Sequence, residues 1–223
     1  MEYYNKKNVT LPCLSVRDSY IQGNLLTGIS KNKLITVSRK TMKKVYLFLA
    51  EGFEVLEAMA PVDILRRAGV EIKTISLTNS LEVTSSNGIT IKADATMADE
   101  DVLGGDALIL PGGYPGYENL KNNEFVGRAA HLYYETGRLV CAICGAPIVL
   151  QHYGIGCGKK VTGHTCISQQ MTSFEYTARP VEHDGCLLTA IGAGHAVDFG
   201  FAILEALCGP EAVAKVKPGM ELA

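Results

Sequence analysis

Short apolar runs alternate with amphipathic stretches along most of this chain. Residues 43–50 form an apolar run of strand length. The spacing that follows predicts a helix from about 54 to 68, closed by Gly69 as its C-terminal cap. Pro61 lies inside that helix and is expected to kink it or to mark a displaced first turn. Residues 70–77 read as a second strand and Asn79-Ser80 as a turn. A small hairpin follows, Val83-Thr84 against 89–91, around Asn87-Gly88. A short helix is expected over 99–103 and a buried strand over 107–110, which runs into Pro111-Gly112-Gly113. A helix over 123–136 is ended by Gly137. The run 139–143, rich in Val and Ile, is again a buried strand, with a helix after it to about Tyr153. Beyond a glycine-rich loop (Gly154, Gly156, Gly158), Val181-Glu182 and 186–191 flank His183-Asp184-Gly185, which reads as a hairpin turn. The last long helix spans about 196–207, and a short one spans 210–215. Strands that alternate with helices and have apolar interiors predict an α/β three-layer sandwich with a mostly parallel central sheet. No internal repeat, low-complexity tract or second domain interrupts 42–223, which is read as one domain.

Charge separates off the first part of the chain. Residues 1–41 contain seven Lys and Arg against two Asp and Glu, although the 223-residue whole has a net charge of −2. This basic leader lacks hydrophobic periodicity and a signal-peptide core. Met42-Lys43-Lys44, just before the first strand, looks like a natural start, so the leader is read as disordered or as a start-site artefact. A near-neutral balance gives no reason to expect nucleic acid, and no apolar run reaches the length of a membrane span. Seven scattered cysteines without a signal peptide point to a reducing cytoplasm rather than a disulfide framework.

Candidate chemistry converges on Cys144-Gly145-Ala146-Pro147. A buried strand, a sharp turn of small residues and a proline suited to a helix's first turn make a strand-to-helix elbow with a nucleophile at its corner. A sulfur at a helix N-terminus is expected to favour its thiolate. Glu57 shares a helix stripe with Pro61, Ile64 and Ala68. It is therefore expected to be buried, with a raised pKa, and able to donate a hydrogen bond to a thiolate. The alternative is a pairing with Arg66, Arg67 or a lysine. Gly112-Gly113 allows backbone N–H groups to approach an oxyanion, or simply makes a tight turn. Cys141 completes a C-x-x-C with Cys144 but lies inside the strand and reads as core. Cys166, near His164, is the other thiol to watch, as a resolving partner. His164, between Gly163 and Thr165, and His195, at the start of the last long helix, are the candidate bases. No Cys and His pair has zinc-ligand spacing, so neither a metal nor a cofactor is expected.

These residues also carry a resemblance. From Met42 onward the chain resembles the ThiJ/PfpI superfamily, in the branch of the parkinsonism-associated protein deglycase (DJ-one). The matching segments are Glu57 with Pro61-Val62-Asp63 and Arg66-Arg67-Ala68-Gly69, Leu110-Pro111-Gly112-Gly113, Ala142-Ile143-Cys144 with Gly145-Ala146-Pro147, Val161-Thr162-Gly163-His164, and Asp198-Phe199-Gly200. The resemblance implies a flavodoxin-like, class I glutaminase-like fold. It further implies that Glu57 hydrogen-bonds the Cys144 thiolate with His164 nearby, that Gly113 and Gly145 supply oxyanion-hole N–H groups, and that the first helix contributes to a homodimer. Activities attributed to the branch are glutathione-independent conversion of methylglyoxal to lactate and removal of early glycation adducts. The chain departs from the pattern at three positions. Gly145 stands where protease-like members place a histidine, which argues against a peptidase. Asn87 replaces an arginine of the hairpin, and His195 replaces a small hydroxyl residue.

Three functions are compatible with these residues. One is an enzyme acting on an aldehyde or glycated small-molecule substrate through Cys144, with Glu57 or His164 moving protons and Gly113, Gly145 and His195 binding substrate. Another is a redox sensor or chaperone-like stress protein in which Cys144 is oxidised to sulfinate. The third is a binding module in which the elbow is ancestral.

Overall fold

Along β1 (Lys44–Leu49), Val45, Leu47 and Leu49 enter one hydrophobic cluster while Tyr46 and Phe48 enter a second on the opposite face. A strand with both faces apolar sits in the middle of a sheet covered on each side. The computed structural model describes residues 42–222. The basic leader read over 1–41, with Cys13, lies outside the described residues.

The first helix, α1 (Val55–Arg67), follows β1 and leads to β2 (Glu71–Ser76). A hairpin of β3 (Glu82–Thr84) and β4 (Thr90–Lys92) then precedes the short β5 (Ala95–Thr96) and β6 (Ala107–Leu110). Helices α2 (Gly116–Lys121) and α3 (Glu124–Glu135) lead to β7 (Leu139–Ile143), and α4 (Ile148–Tyr153) follows it. Short strands β8 (Lys160–Val161) and β9 (Glu175–Tyr176) pair with each other. The chain ends with β10 (Val181–Asp184), β11 (Leu187–Ala190), α5 (Ala196–Cys208) and α6 (Pro210–Val216). The main sheet has the order β10-β11-β7-β6-β1-β2-β5, parallel except for the edge pair β10–β11. Helices α1 and α5 pack on one face, and α3 and α4 on the other.

Several local expectations are corrected. Helix α1 runs continuously from Val55 to Arg67 with Pro61 inside it, so the proline does not mark a first turn. The helix packs closely on α5 at this point: a Cβ on Gly200 would lie 2.7 Å from Ile64 Cδ1 and 3.2 Å from Pro61 Cα, so the two helices touch where the proline omits an N–H. His183 and Asp184 belong to strand β10, not to a turn, and the chain reverses at Gly185 and Cys186. Asp184 is held there by the Lys160 N–H at 3.0 Å and the Lys159 ammonium at 2.9 Å. The hairpin turn is closed by the Gly88 N–H on the Ser85 carbonyl, which centres it on Ser86-Asn87. The expected helix over 99–103 is a single 3-10 turn at Val102–Gly104.

The chain leaves β1 toward β2 on one side and later places β6 on the other. The strand order therefore reverses between β1 and β6, and open α/β sheets bind their ligands at the carboxyl end of such a switch point. The segments after β1, β6 and β7 all open there.

Candidate active site

Cys144 directly follows β7 and has φ +63°, the left-handed conformation that costs a non-glycine residue about 1–2 kcal/mol. Two backbone hydrogen bonds hold it there. Its N–H donates to the Ala190 carbonyl on β11 at 2.9 Å, and its carbonyl accepts from the His164 N–H at 2.7 Å. Gly163 makes that second approach possible, since a Cβ at this position would stand 2.9 Å from the Cys144 carbonyl oxygen. A Cβ on Gly145 would stand 2.4 Å from the ring of Tyr117 on α2, so no side chain fits directly after the nucleophile. Cys141 is fully buried in β7, where burial pushes its thiol well above the usual range.

Glu57 reaches the same corner from the first turn of α1. Its backbone N–H is capped by Glu54 Oε2 at 2.8 Å, and its side chain has no solvent exposure. Oε2 accepts the Gly112 N–H at 2.8 Å. Oε1, on the side of Gly192, is buried with no hydrogen bond of ordinary geometry. Burial is the largest influence and pushes the carboxyl up to about 7. The hydrogen bond with Cys144 opposes it, the Glu54 charge adds to it, and the Gly112 and Ala193 N–H groups oppose it. Among the described residues Glu57 pairs with no arginine: Arg66 bonds Asp94 and Arg67 bonds Asp63, each at 2.7 Å.

Cys144 stands one turn before α4, which begins at Ile148, and hydrogen bonds from Ala146 to Ile143 and from Ile148 to Gly145 join the two. The sulfur gains no lowered pKa there. The Cys144 thiol is instead pushed up to about 12, first by burial and then by the charge and hydrogen bond of Glu57. The Gly145 and Gly113 N–H groups act in the opposite direction. Both influences of Glu57 require an ionised carboxylate. When the carboxyl holds the proton, the repulsion disappears and an O–H donor faces the sulfur. The two groups therefore share one proton, and the thiolate exists when that proton is on Glu57.

The two glycines after β6 divide the work. Gly112 gives its N–H to Glu57, and Gly113, at φ +91°, directs its N–H to the sulfur. A Cβ on Gly112 would lie 2.6 Å from Glu57 Oε2 and 2.7 Å from Cys144 Cβ.

A cavity of about 490 Å³ opens over this corner, lined by Glu54, Glu57, Cys144, His164, His195 and the Ile191–Gly194 loop. His164 caps a 3-10 turn (Thr165–Gln170) by accepting the Cys166 N–H on Nδ1 at 3.2 Å. His195 Nδ1 lies 3.0 Å from Asp198 Oδ2. Asn87 is not part of the lining. The hairpin meets the loop after β1 through the Ser86 N–H on the Phe53 carbonyl and through Thr84, whose carbonyl accepts the Gly52 N–H and whose N–H donates to Glu51. A smaller depression, about 320 Å³, at the other end of the strands has no comparable convergence, since Lys43 is tied to Asp106 and Arg138 to the carbonyls of Leu103 and Gly105. Cys166 is an exposed free thiol, and no disulfide joins it to Cys144. Among the described residues no group of three or more His, Cys, Asp or Glu is placed to hold a metal ion, and no helix is long and apolar enough to cross a membrane.

The structure thus gathers Cys144, Glu57, His164, His195, Gly113 and Gly145 at one sheet end. Sequence reasoning overlooked Glu54, Tyr117 and the part played by Asp198. The spacing of three between Glu54 and Glu57, and again between His195 and Asp198, was the readable signal for two of these. Tyr117 left none, because only the fold brings α2 over Gly145.

The model of the DJ-1/PfpI family matches residues 43–206. The chain is 34% identical over 181 residues to the Parkinson disease protein 7 homolog of Danio rerio, which covers 78% of this chain and 95% of the relative. The crystal structure of Drosophila melanogaster DJ-1beta superposes with a TM-score of 0.77 at 32% identity, over 82% of this chain and 99% of the other. A DJ-1 superfamily protein from Salmonella typhimurium, solved as a cysteine-to-alanine mutant, gives 0.78 at 32% identity over 82% and 100%.

Proposed function

Because this chain belongs to the DJ-1/PfpI family, we propose that it is a cysteine-dependent enzyme that converts reactive dicarbonyls, free or as early glycation adducts, to hydroxy acids. The observation that carries this reading is the convergence on one cavity of Cys144, held at φ +63° after β7, and the fully buried Glu57 carboxyl, beside the Gly112-Gly113 turn.

With methylglyoxal, the thiol proton passes to the Glu57 carboxylate as the sulfur attacks the aldehyde carbon. The new alkoxide is held by the Gly113 and Gly145 N–H groups and takes the proton back, giving a hemithioacetal. Glu57, a carboxylate again, then removes the hydrogen of that carbon and delivers it to the neighbouring ketone carbon, while the hydroxyl proton of the hemithioacetal moves to the ketone oxygen. The first carbon is oxidised as the second is reduced, so no external oxidant is needed. The His164 Nε2–H supports the ketone oxygen during this transfer. The product is a lactoyl thioester on Cys144, which water cleaves to lactate and free thiol. A carboxyl with a pKa of about 7 both accepts and gives protons near neutrality, as such a shuttle requires. Tyr117 over Gly145 leaves no room for the histidine of a peptidase at this position. Exposed Leu56 on α1, Val197 on α5 and Ile89 on the hairpin support a homodimer built through the first helix.

The test is lactate formation from methylglyoxal without glutathione, followed by NMR so that simple thiol adducts are not counted as turnover. Wild type is expected to turn over and Cys144→Ser to lose all catalysis. Stoichiometric adduct or sulfinate on Cys144 without lactate would refute the enzyme reading and favour a redox sensor.

A further inference from the structure

The two histidines at the cavity have opposite hydrogen-bonding roles. His164 Nδ1 accepts a backbone N–H, from Cys166, so in the neutral ring its proton sits on Nε2 and it faces the cavity as a donor. His195 is 3.0 Å from the Asp198 carboxylate through Nδ1. A carboxylate only accepts, so the His195 proton sits on Nδ1 and the lone pair of Nε2 is free to act as a base. Asp198 lies in the first turn of α5, three residues after His195, and holds the ring from the same helix end. His195 lines the same cavity as Cys144.

The mechanism leaves one step without a base. Release of an acyl group from Cys144 requires water to lose a proton as it attacks. Glu57 lines the cavity but has no solvent exposure, so it meets an atom bound to the sulfur more readily than a free water, whereas the His195 side chain is partly exposed and His164 is a donor. We infer that His195, positioned by Asp198, is the general base that activates the hydrolytic water against an acyl thioester on Cys144. This rests on Cys144 being the nucleophile of the site. The water oxygen bonds to the thioester carbonyl carbon while its proton moves to His195 Nε2. The carbon–sulfur bond then breaks, and the imidazolium returns the proton to the departing sulfur. One carboxylic acid and one thiol result from one thioester and one water. His195 is the catalytic residue in this step, and Asp198 is a positioning residue.

The inference is separable from dicarbonyl chemistry by acylating Cys144 directly with 4-nitrophenyl acetate. Wild type is expected to give a burst of nitrophenolate followed by steady turnover. In His195→Gln the burst persists, steady turnover falls about a hundredfold, and intact mass shows acetyl retained on Cys144. Asp198→Asn slows the steady rate without changing the burst, Asp198→Glu restores it, and free imidazole restores turnover to His195→Ala. A steady rate in His195→Gln indistinguishable from wild type overturns the inference, as do loss of the burst in that variant and accumulation of acetyl-Cys144 in the wild type itself. A wild type that deacylates through His195 yet makes no lactate refutes the dicarbonyl reading alone.

Discussion

At Glu57 the folded chain holds a proton that an unfolded chain releases at about 4.5, whereas burial delays release to about 7. The folded state therefore binds more protons between these values, and stability falls as pH rises through this window. The contribution is fully present below about 4.5 and gone above about 7. A shift of this size corresponds to about 3 kcal/mol. Urea unfolding of wild type and Glu57→Gln at several pH values is expected to show a difference that changes by about this amount across the window, with wild type losing ground as pH rises. Parallel curves would mean that Glu57 is not held protonated by the fold. Burial of this carboxyl was legible in the sequence, because Pro61, Ile64 and Ala68 share its stripe. The division between Gly112 and Gly113 was not legible, since the direction of each N–H depends on a backbone turn at φ +91° that either glycine alone permits. The raised thiol at Cys144 has a similar origin: strand, turn and proline were readable, but not the burial and the approach of Glu57 that push the sulfur up.

At the scale of elements, the helix ends were the most readable features. Gly69 closes α1 with its N–H on the Arg66 carbonyl at 3.0 Å and the Val70 N–H on the Leu65 carbonyl at 3.0 Å, and Gly137 closes α3 in the same way through Tyr134 and Tyr133. This paired pattern needs a left-handed residue, and Gly69 has φ +74°. Nothing lies within 4 Å of a Cβ added there, so Gly69→Ala isolates the backbone cost. A loss of about 1 kcal/mol is expected from the urea midpoint, with the slope of the transition unchanged; no loss would contradict the cap. Helix α2 and the strand β9 escaped the sequence reading because six and two residues are too few to display a period. Residues 183 and 184 were misread because Asp-Gly is a strong turn signal, whereas Asp184 is drawn into the strand by Lys159 and Lys160.

For the molecule as a whole, alternation of strands and helices established a parallel sheet, but nothing in the periodicity ordered its strands. The order decides the site: β6 lies between β1 and β7, so the loops that follow these three strands converge at one end, and α1 lowers Glu57 onto the sulfur that β7 delivers. The central claim is that this convergence makes the thiol and the carboxyl a single proton-sharing unit. The rate of Cys144 alkylation by iodoacetamide at pH 7, compared between wild type and Glu57→Gln, tests it most directly. Glutamine cannot take the sulfur's proton, so alkylation in the variant is expected to slow by about tenfold, one pKa unit of lost thiolate. Faster alkylation in Glu57→Gln would show that Glu57 only repels the thiolate, and would contradict the account.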